Sequence, residues 1–175
     1  MIFLLSLLKQ NDIFALINNN FTVKYFNMSL DALNWKILHC LQENARQSNA
    51  EIGRKVGISS PAVSERIKKM EDTGVISGYK TIISHFDVGY QLKAIITLRA
   101  FMGKLKPFLQ KVKTFDEVLN CYRITGNENI VLEVILKDQS HLEYFIDQLI
   151  KYGETKTQIV LSHIVEDNDI KKVLG

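Results

Sequence analysis

The 175-residue sequence predicts an α+β protein, in which an N-terminal winged helix-turn-helix is followed by a ferredoxin-like βαββαβ domain. Three observations predict this architecture. Residues 48–76 have the pattern of two short helices joined by a tight glycine turn. The second half alternates strand-like and helix-like apolar spacing in the order βαββαβ. The apolar fraction of 46% is typical of a globular chain with room for one or two domains.

A first helix is expected between Asp31, which can cap its start, and about Asn44. Apolar residues recur there at the spacing of one helical face, while Trp35 and Cys40 lie off that face. The inner stripe consists of Leu33, Ile37, Leu38 and Leu41. This helix and the next two are expected to share one core.

The helix pair begins with a capping box, in which the side chains of Ser48 and Glu51 each bond a free amide of the first turn. Gly53 is expected where the two helices approach closely, and Gly57 where the turn needs a left-handed backbone. Such a pair is typical of a helix-turn-helix, whose second helix enters the major groove of DNA. The alternative is a solvated amphipathic helix pair of the kind common in α-rich domains.

The second helix of the pair carries the candidate DNA contacts. Ser59 or Ser60 can cap it, Pro61 suits its first turn, and Gly74 is expected to end it. Side chains near its start can reach base edges, whereas the cations serve mainly phosphates. Arg66 has an alternative role, because it can brace the fold through a neighbouring carboxylate. The candidate DNA-binding residues are Ser59, Ser60, Ala62, Ser64, Glu65, Arg66, Lys68 and Lys69.

A strand resembling the wing of a winged helix is expected at Val75–Ile83, with an interruption at Gly78. The stretch Ser84–Gln91 then serves as a connector. The expected domain boundaries are an extension at 1–27, a helix-turn-helix domain at 28–77, a ribbon or hinge at 78–91, a second domain at 92–166 and a C-terminal tail at 167–175.

The second domain is expected to contain four strands and two helices. The strands are predicted at Leu92–Phe101, Val118–Thr125, Ile130–Leu136 and Thr157–Val165. The turn Gly126–Asn129 joins the two middle strands as a hairpin. The first helix has apolar residues at helical spacing from Leu105 to Phe115, and the second from Leu142 to Ile150, with Ser140 as its cap.

One face of the first predicted strand is wholly apolar and can receive both helices. The opposite face is mixed, whereas a sheet covered by helices on one side normally presents a polar second face to water. We therefore expect this second face, or a strand edge, to be covered by self-association. Its residues are Lys93, Ile95, Thr97, Arg99 and Phe101, with Val131, Glu133 and Ile135 on the third strand.

The net charge and the cysteine content exclude few classes of function. The net charge of +3 is spread evenly, so DNA affinity must come from local placement of cations and from their doubling in a dimer. Cys40 and Cys121 belong to no metal-binding or redox spacing, and both are expected to be buried thiols in a reducing cytoplasm. No metal or other cofactor is expected.

Residues 1–27 differ in composition from the rest of the chain. The apolar run Ile2–Leu8 is too short to span a bilayer and lacks the features of a secretory signal, so no membrane partner is expected. One possibility is a short helix that packs on the body. The favoured interpretation is that Met28 is the natural start, because a well-patterned helix follows it at once.

With both halves described, the chain resembles the Lrp/AsnC family of feast/famine transcription regulators over roughly Leu30 to Val165. The segments that carry the resemblance are LD…KIL, the loop from Asn44 to Ser48, GIS, V-x-x-R-I-x-x-M-E and GVI-x-GY. The T-G-N-E-N-I-V-L-E-V segment and the element order resemble the family's effector-binding domain. The resemblance implies a sequence-specific DNA-binding regulator, with two recognition helices presented to a palindromic site.

The resemblance also implies a dimer formed through the second domain, assembled further into tetramers or octamers, and an amino acid or related effector bound where dimers meet. The family's loop usually reads G-x-x-D, whereas this chain has Asn129 in place of the aspartate. A neutral oxygen binds a ligand ammonium less strongly than a carboxylate does. The implied effector-binding residues are Gly126, Asn127, Glu128, Asn129 and Thr157.

A rival interpretation is an enzyme, because some sirohaem decarboxylases share this two-domain architecture. Such chemistry would need histidines and arginines gathered at one pocket. His39, His85, His141 and His163 fall in four separate elements, and no recognisable acid–base set emerges. We therefore expect no catalytic residues.

Overall fold

The computed structural model describes residues 30–165 and 168–172. The expected extension at 1–27 and the start at Met28 lie outside the described residues. The chain divides into two compact units, residues 30–79 with 169–172, and Lys80–Asn168. The α+β fold class, with helices first and an antiparallel sheet second, is confirmed. None of the helices in the described part is long and apolar enough to cross a membrane.

Three helices form the first unit: α1 (Ala32–Glu43), α2 (Asn49–Val56) and α3 (Ser60–Asp72). Asp31 caps α1 as expected, by accepting a hydrogen bond from the amide of Asn34. Cys40 is buried, as expected, but it lies on the inner face of α1 rather than off it, because the buried face follows Asn34, Ile37 and Cys40. The core residues of this unit are Ile37, Cys40, Ile52, Val63 and Met70.

The expected close approach at Gly53 is confirmed. A Cβ atom built there would lie 2.5 Å from the carbonyl oxygen of Ile58, a distance that real Cβ contacts do not reach. The carbonyl of Gly53 accepts hydrogen bonds from the amides of both Gly57 and Ile58, at 2.8 Å and 3.0 Å. Gly57 has a φ of 82°, so the turn also uses the left-handed conformation predicted for it.

The expected wing strand at Val75–Ile83 is wrong for the single chain, since no strand forms there. A strand needs a partner for its backbone groups, and the four strands described pair only with one another. Beyond Ile76, which packs against the core of the first unit, its apolar side chains are exposed, as at Tyr79 (53%) and Ile82 (73%). The connector that follows forms a compact turn, in which the amide of Tyr90 donates to the carbonyl of His85.

The second unit is a four-stranded antiparallel sheet of order β2-β3-β1-β4, with its helices packed on one face. Ala94, Ile96 and Leu98 of the first strand lie in the core with Phe108 and Phe145 from the helices. The elements are β1 (Leu92–Ala100), α4 (Leu105–Lys111) followed by a 3-10 turn (Val112–Thr114), β2 (Val118–Arg123), β3 (Ile130–Leu136), α5 (Gln139–Leu149) and β4 (Gly153–Ile159).

Strands β1, β2 and β4 end earlier than predicted, at Ala100, Arg123 and Ile159, and the starts of two elements also differ. The last strand was expected at Thr157–Val165, but β4 begins at Gly153, which pairs with Ala100 at the far end of β1. A Cβ atom at Gly153 would collide with the carbonyl of Arg99, so the strand's start is a glycine rather than an apolar residue. The cap of α5 is Asp138 instead of Ser140, because the Asp138 carboxylate accepts from the amide of His141.

The face of the sheet opposite the helices is mixed, and its polar groups pair with one another. Lys93 Nζ lies 2.6 Å from Glu133 Oε1, and the amide of Asn120 donates to Glu133 Oε2. The ammonium of Lys93, and then Asn120, hold the pKa of Glu133 below its usual value. Cys121 was expected to be buried but is exposed, because β2 is an edge strand.

Gly53→Ala tests the close crossing of α2 and α3. We expect it to lower the stability of the first unit by about 1–3 kcal/mol, since the added methyl has no space. Gly153→Ala is the matched control, because it introduces the same clash in the second unit. Hydrogen exchange on both variants should show faster exchange in the unit that carries the substitution. Equal stability of Gly53→Ala and the natural protein would contradict the crossing described here.

Candidate nucleic-acid interface

The helix pair is fixed by local hydrogen bonds at the start of each helix. Ser48 Oγ accepts from the amide of Glu51, and the amide of Ser48 donates to Glu51 Oε2 at 2.7 Å, which completes the predicted capping box. Hydrogen bonds from Ser48 hold the pKa of Glu51 below its usual value. Ser59, rather than Ser60, caps α3, with Oγ accepting from the amide of Ala62.

The outer face of α3 is polar and open. Ser59, Ser64 and Glu65 are exposed, while Ser60 and Ala62 are half-buried. Lys68 and Lys69 are exposed, and neither makes an ion pair with any residue that the structure describes. The buried face carries Val63 and Met70. Four of the predicted contact residues within α3, Ser64, Glu65, Lys68 and Lys69, are therefore open to solvent.

Arg66 takes the bracing role that the sequence left open. Its Nη1 lies 2.8 Å from Asp31 Oδ2 and 2.9 Å from the amide oxygen of Asn34, so it joins α3 to the start of α1. The same Asp31 carboxylate caps α1, and its pKa is lowered, first by the Asn34 amide and then by Arg66. Asn34 is the buried polar residue of this unit. Sequence reasoning missed Asn34, because a single polar residue in an apolar pattern gives no signal.

The loop predicted to bind an effector is held to the sheet by Asn129. The amide of Asn129 donates to the carbonyl of Leu98, and its side-chain oxygen accepts from the amide of Ala100 at 2.9 Å. The Asn129 oxygen is thus a structural acceptor at the end of β1. Gly126 has a φ of 118° and shapes the loop.

A small cleft of about 120 Å³ lies beside this loop on the open face of the sheet. Two ion pairs cross it: Lys156 to Glu128 at 2.8 Å and Arg99 to Glu154 at 3.8 Å. Lys156 lowers the pKa of Glu128, and Glu128 raises that of Lys156. The lining residues are Thr97, Arg99, Asn127, Glu128, Glu154 and Lys156.

Thr157 lies away from this cleft. It pairs with Ile96, whose side chain is in the core, so it belongs to the helix-covered face of the sheet. Because side chains alternate along a strand, Glu154 and Lys156 face the cleft instead. Sequence reasoning did not bring Lys156 to the same cleft as Arg99, because the pairing of β4 with β1 depends on where β4 begins.

The histidines do not gather into one site. His141 pairs with Glu117 at 3.0 Å, His39 contacts Glu43 and Asp169, and His163 lies 3.2 Å from Lys93. Over the described ranges, no three His, Cys, Asp or Glu side chains are grouped so that they could hold a metal ion.

An exposed, capped recognition helix in a three-helix unit, followed by a ferredoxin-like sheet, defines a class of helix-turn-helix regulators. Two sequence-family models match the chain: the AsnC-type helix-turn-helix domain over residues 30–71 and the Lrp/AsnC ligand binding domain over residues 93–170. The chain belongs to the Lrp/AsnC family, which confirms the resemblance.

Individual relatives agree with this assignment. An HTH-type transcriptional regulator of Methanocaldococcus jannaschii is 37% identical over 136 residues, which cover 75% of this chain and 92% of that protein. The structure of LrpC of Bacillus subtilis superimposes with a TM-score of 0.76 at 28% identity, covering 79% of this chain and 99% of that one. A transcriptional regulator of Neisseria meningitidis in complex with L-Met has a TM-score of 0.75 at 28% identity, covering 79% and 94%.

Arg66→Ala tests the brace between α3 and α1. We expect a loss of about 1–3 kcal/mol in the stability of the first unit, because the buried oxygen of Asn34 would be left without its partner. Lys68→Ala, two residues further along the same helix, should leave stability within about 0.5 kcal/mol of the natural protein. Urea unfolding of the full chain measures both. Equal losses in the two variants would contradict the assignment of Arg66 to the fold.

Proposed function

We propose that this protein is a transcriptional regulator that binds specific DNA sequences through α3. The observation that carries the proposal is the exposed face of α3, on which Ser64 is open and Lys68 and Lys69 have no ion-pair partner among the described residues. The lysines neutralise phosphates, and the small polar residues near the start of the helix read base edges. Membership of the Lrp/AsnC family supports this function over a sirohaem-decarboxylase-like enzyme. Such a regulator acts in the cytoplasm.

The protein acts as a homodimer, or as a larger assembly built from dimers. Support comes from the face of the sheet opposite the helices, where Ile95 and Val131 are only half covered within one chain. The exposed apolar residues of the Val75–Ile83 segment offer a second surface for a partner copy. A two-fold dimer presents two α3 helices to half-sites about one helical turn of DNA apart, or a multiple of it.

An amino acid binds at the cleft beside the Gly126–Asn129 loop and modulates the regulator. Arg99 and Lys156 supply cations for a ligand carboxylate, while Glu128 and Glu154 supply anions for its ammonium group. Glu128 therefore binds the ligand ammonium in place of an aspartate at position 129. The presence of L-Met in the related Neisseria structure supports a small zwitterionic ligand.

Lys68→Ala and Lys69→Ala test the docking of α3 on DNA. On a duplex selected from random sequence, each should weaken binding and flatten the dependence of log K on log salt. The slope should fall by about 0.9 for each phosphate left without its lysine, so by about 1.8 when both copies of a dimer carry the substitution. Lys151→Ala is the matched control, because it removes an exposed lysine from the second unit. Ser64→Ala should alter which sequences are selected.

Fluorescence anisotropy at several salt concentrations gives these slopes, and sedimentation of the complex gives the number of chains bound. Slopes that match the natural protein in both lysine variants would exclude the docking geometry. A complex with one chain per duplex would exclude the dimer.

Glu128→Gln tests the effector site. Calorimetric titration of the natural protein with the common amino acids should find at least one that binds, and Glu128→Gln should weaken it about 10-fold or more, because a hydrogen bond to a charged group is removed. Glu143→Gln, on the exposed side of α5, is the control and should bind normally. Absence of binding by every amino acid would refute the effector, whereas unchanged binding by Glu128→Gln would refute the site.

A further inference from the structure

The C-terminal segment returns to the first unit after the sheet domain ends. Residues 169–172 belong to the same compact unit as α1, although they follow the second unit in sequence. The outer face of α1 and this segment enclose a groove of about 380 Å³. Trp35, Lys36, His39 and Gln42 line it from the helix, and Asp169, Ile170, Lys171 and Lys172 line it from the segment.

Gln42 holds the segment by its main chain. The amide of Ile170 donates to Gln42 Oε1 at 2.8 Å, and Gln42 Nε2 donates to the carbonyl of Ile170 at 3.3 Å. Both backbone groups of one residue are thus bound by one side-chain amide. The side chain of Ile170 is 75% exposed, so it contributes little to the contact. Recognition of this kind depends on an extended backbone more than on side-chain identity.

A second contact lies one helical turn earlier on α1. His39 Nδ1 is 3.3 Å from Asp169 Oδ2, and His39 Nε2 is 3.4 Å from Glu43 Oε1. The His39 ring therefore lies between one carboxylate of the segment and one of α1. Terminal residues are ordinarily poorly ordered unless such contacts tie them down.

We propose that the outer face of α1 around Trp35, His39 and Gln42 is a docking surface for the protein's own C-terminal segment. The segment is therefore a structural part of the DNA-binding unit. The match to the Lrp/AsnC ligand binding domain ends at residue 170, within the segment that contacts α1. The two units are then joined at two places in the chain, between Tyr79 and Lys80 and between Asn168 and Asp169. The docked segment therefore contacts α1, the helix whose start is also bonded by Arg66 of α3.

Trp35 makes the contact measurable, because it is the only tryptophan of the sequence. Trp35 lines the groove beside the segment, so release of the segment should increase quenching of its fluorescence by acrylamide. Ile170→Pro in the full chain removes the N–H that donates to Gln42. Removal of one hydrogen bond should lower the ratio of docked to undocked chains about 2- to 10-fold. Gln42→Leu, which removes both bonds, should increase quenching at least as much.

Two controls make the test specific. Ile170→Ala keeps the N–H and alters only an exposed side chain, so its quenching should equal that of the natural protein. Gln110→Leu changes an exposed glutamine on α4 and should also have no effect. Natural quenching in both Ile170→Pro and Gln42→Leu would overturn the proposal, and so would equal increases in Ile170→Pro and Ile170→Ala. Circular dichroism checks that each variant folds. If Gln42→Leu does not fold, the comparison of Ile170→Pro with Ile170→Ala still tests the docking of the segment.

Discussion

The DNA-binding unit depends on one steric constraint, the close crossing of α2 and α3 at Gly53. No side chain fits there, because the carbonyl of Ile58 occupies the space that a Cβ would need. The carbonyl of Gly53 accepts hydrogen bonds from the amides of Gly57 and Ile58, so both of these donors are paired where the chain reverses. This crossing sets the direction in which α3 leaves the turn, and hence which of its residues face outward.

Two polar residues that were predicted to contact DNA or a ligand make hydrogen bonds within the fold instead. Arg66 lies on the recognition helix, yet its guanidinium bonds Asp31 and Asn34. Asn129 lies in the loop that the resemblance assigned to an effector, yet its side-chain oxygen accepts a hydrogen bond from the amide of Ala100 at the end of β1. In both cases the acceptor or donor is used within the chain. Lys68 and Lys69 are exposed further along α3, and we propose that they contact DNA.

Much of the fold was predictable from sequence because its signals are local. The caps at Asp31 and Ser48, the glycine turn and the period-two apolar face of β1 depend on residues close together in the chain. The predictions that were wrong concern strand pairing between residues far apart in the chain. The start of β4 is set by its partner Ala100, and the Val75–Ile83 segment finds no partner in one chain. The contact of the C-terminal segment with Gln42 spans 128 residues, and no spacing rule reveals such a contact.

We propose that the outer face of α3 binds the DNA duplex. The most direct measurement is the set of backbone amide NMR shifts of the full chain, with and without a selected DNA duplex. We expect the largest shift changes between Ser59 and Lys69, on the open side of the helix. Changes confined to the sheet of the second unit, with the signals of α3 unmoved, would contradict it.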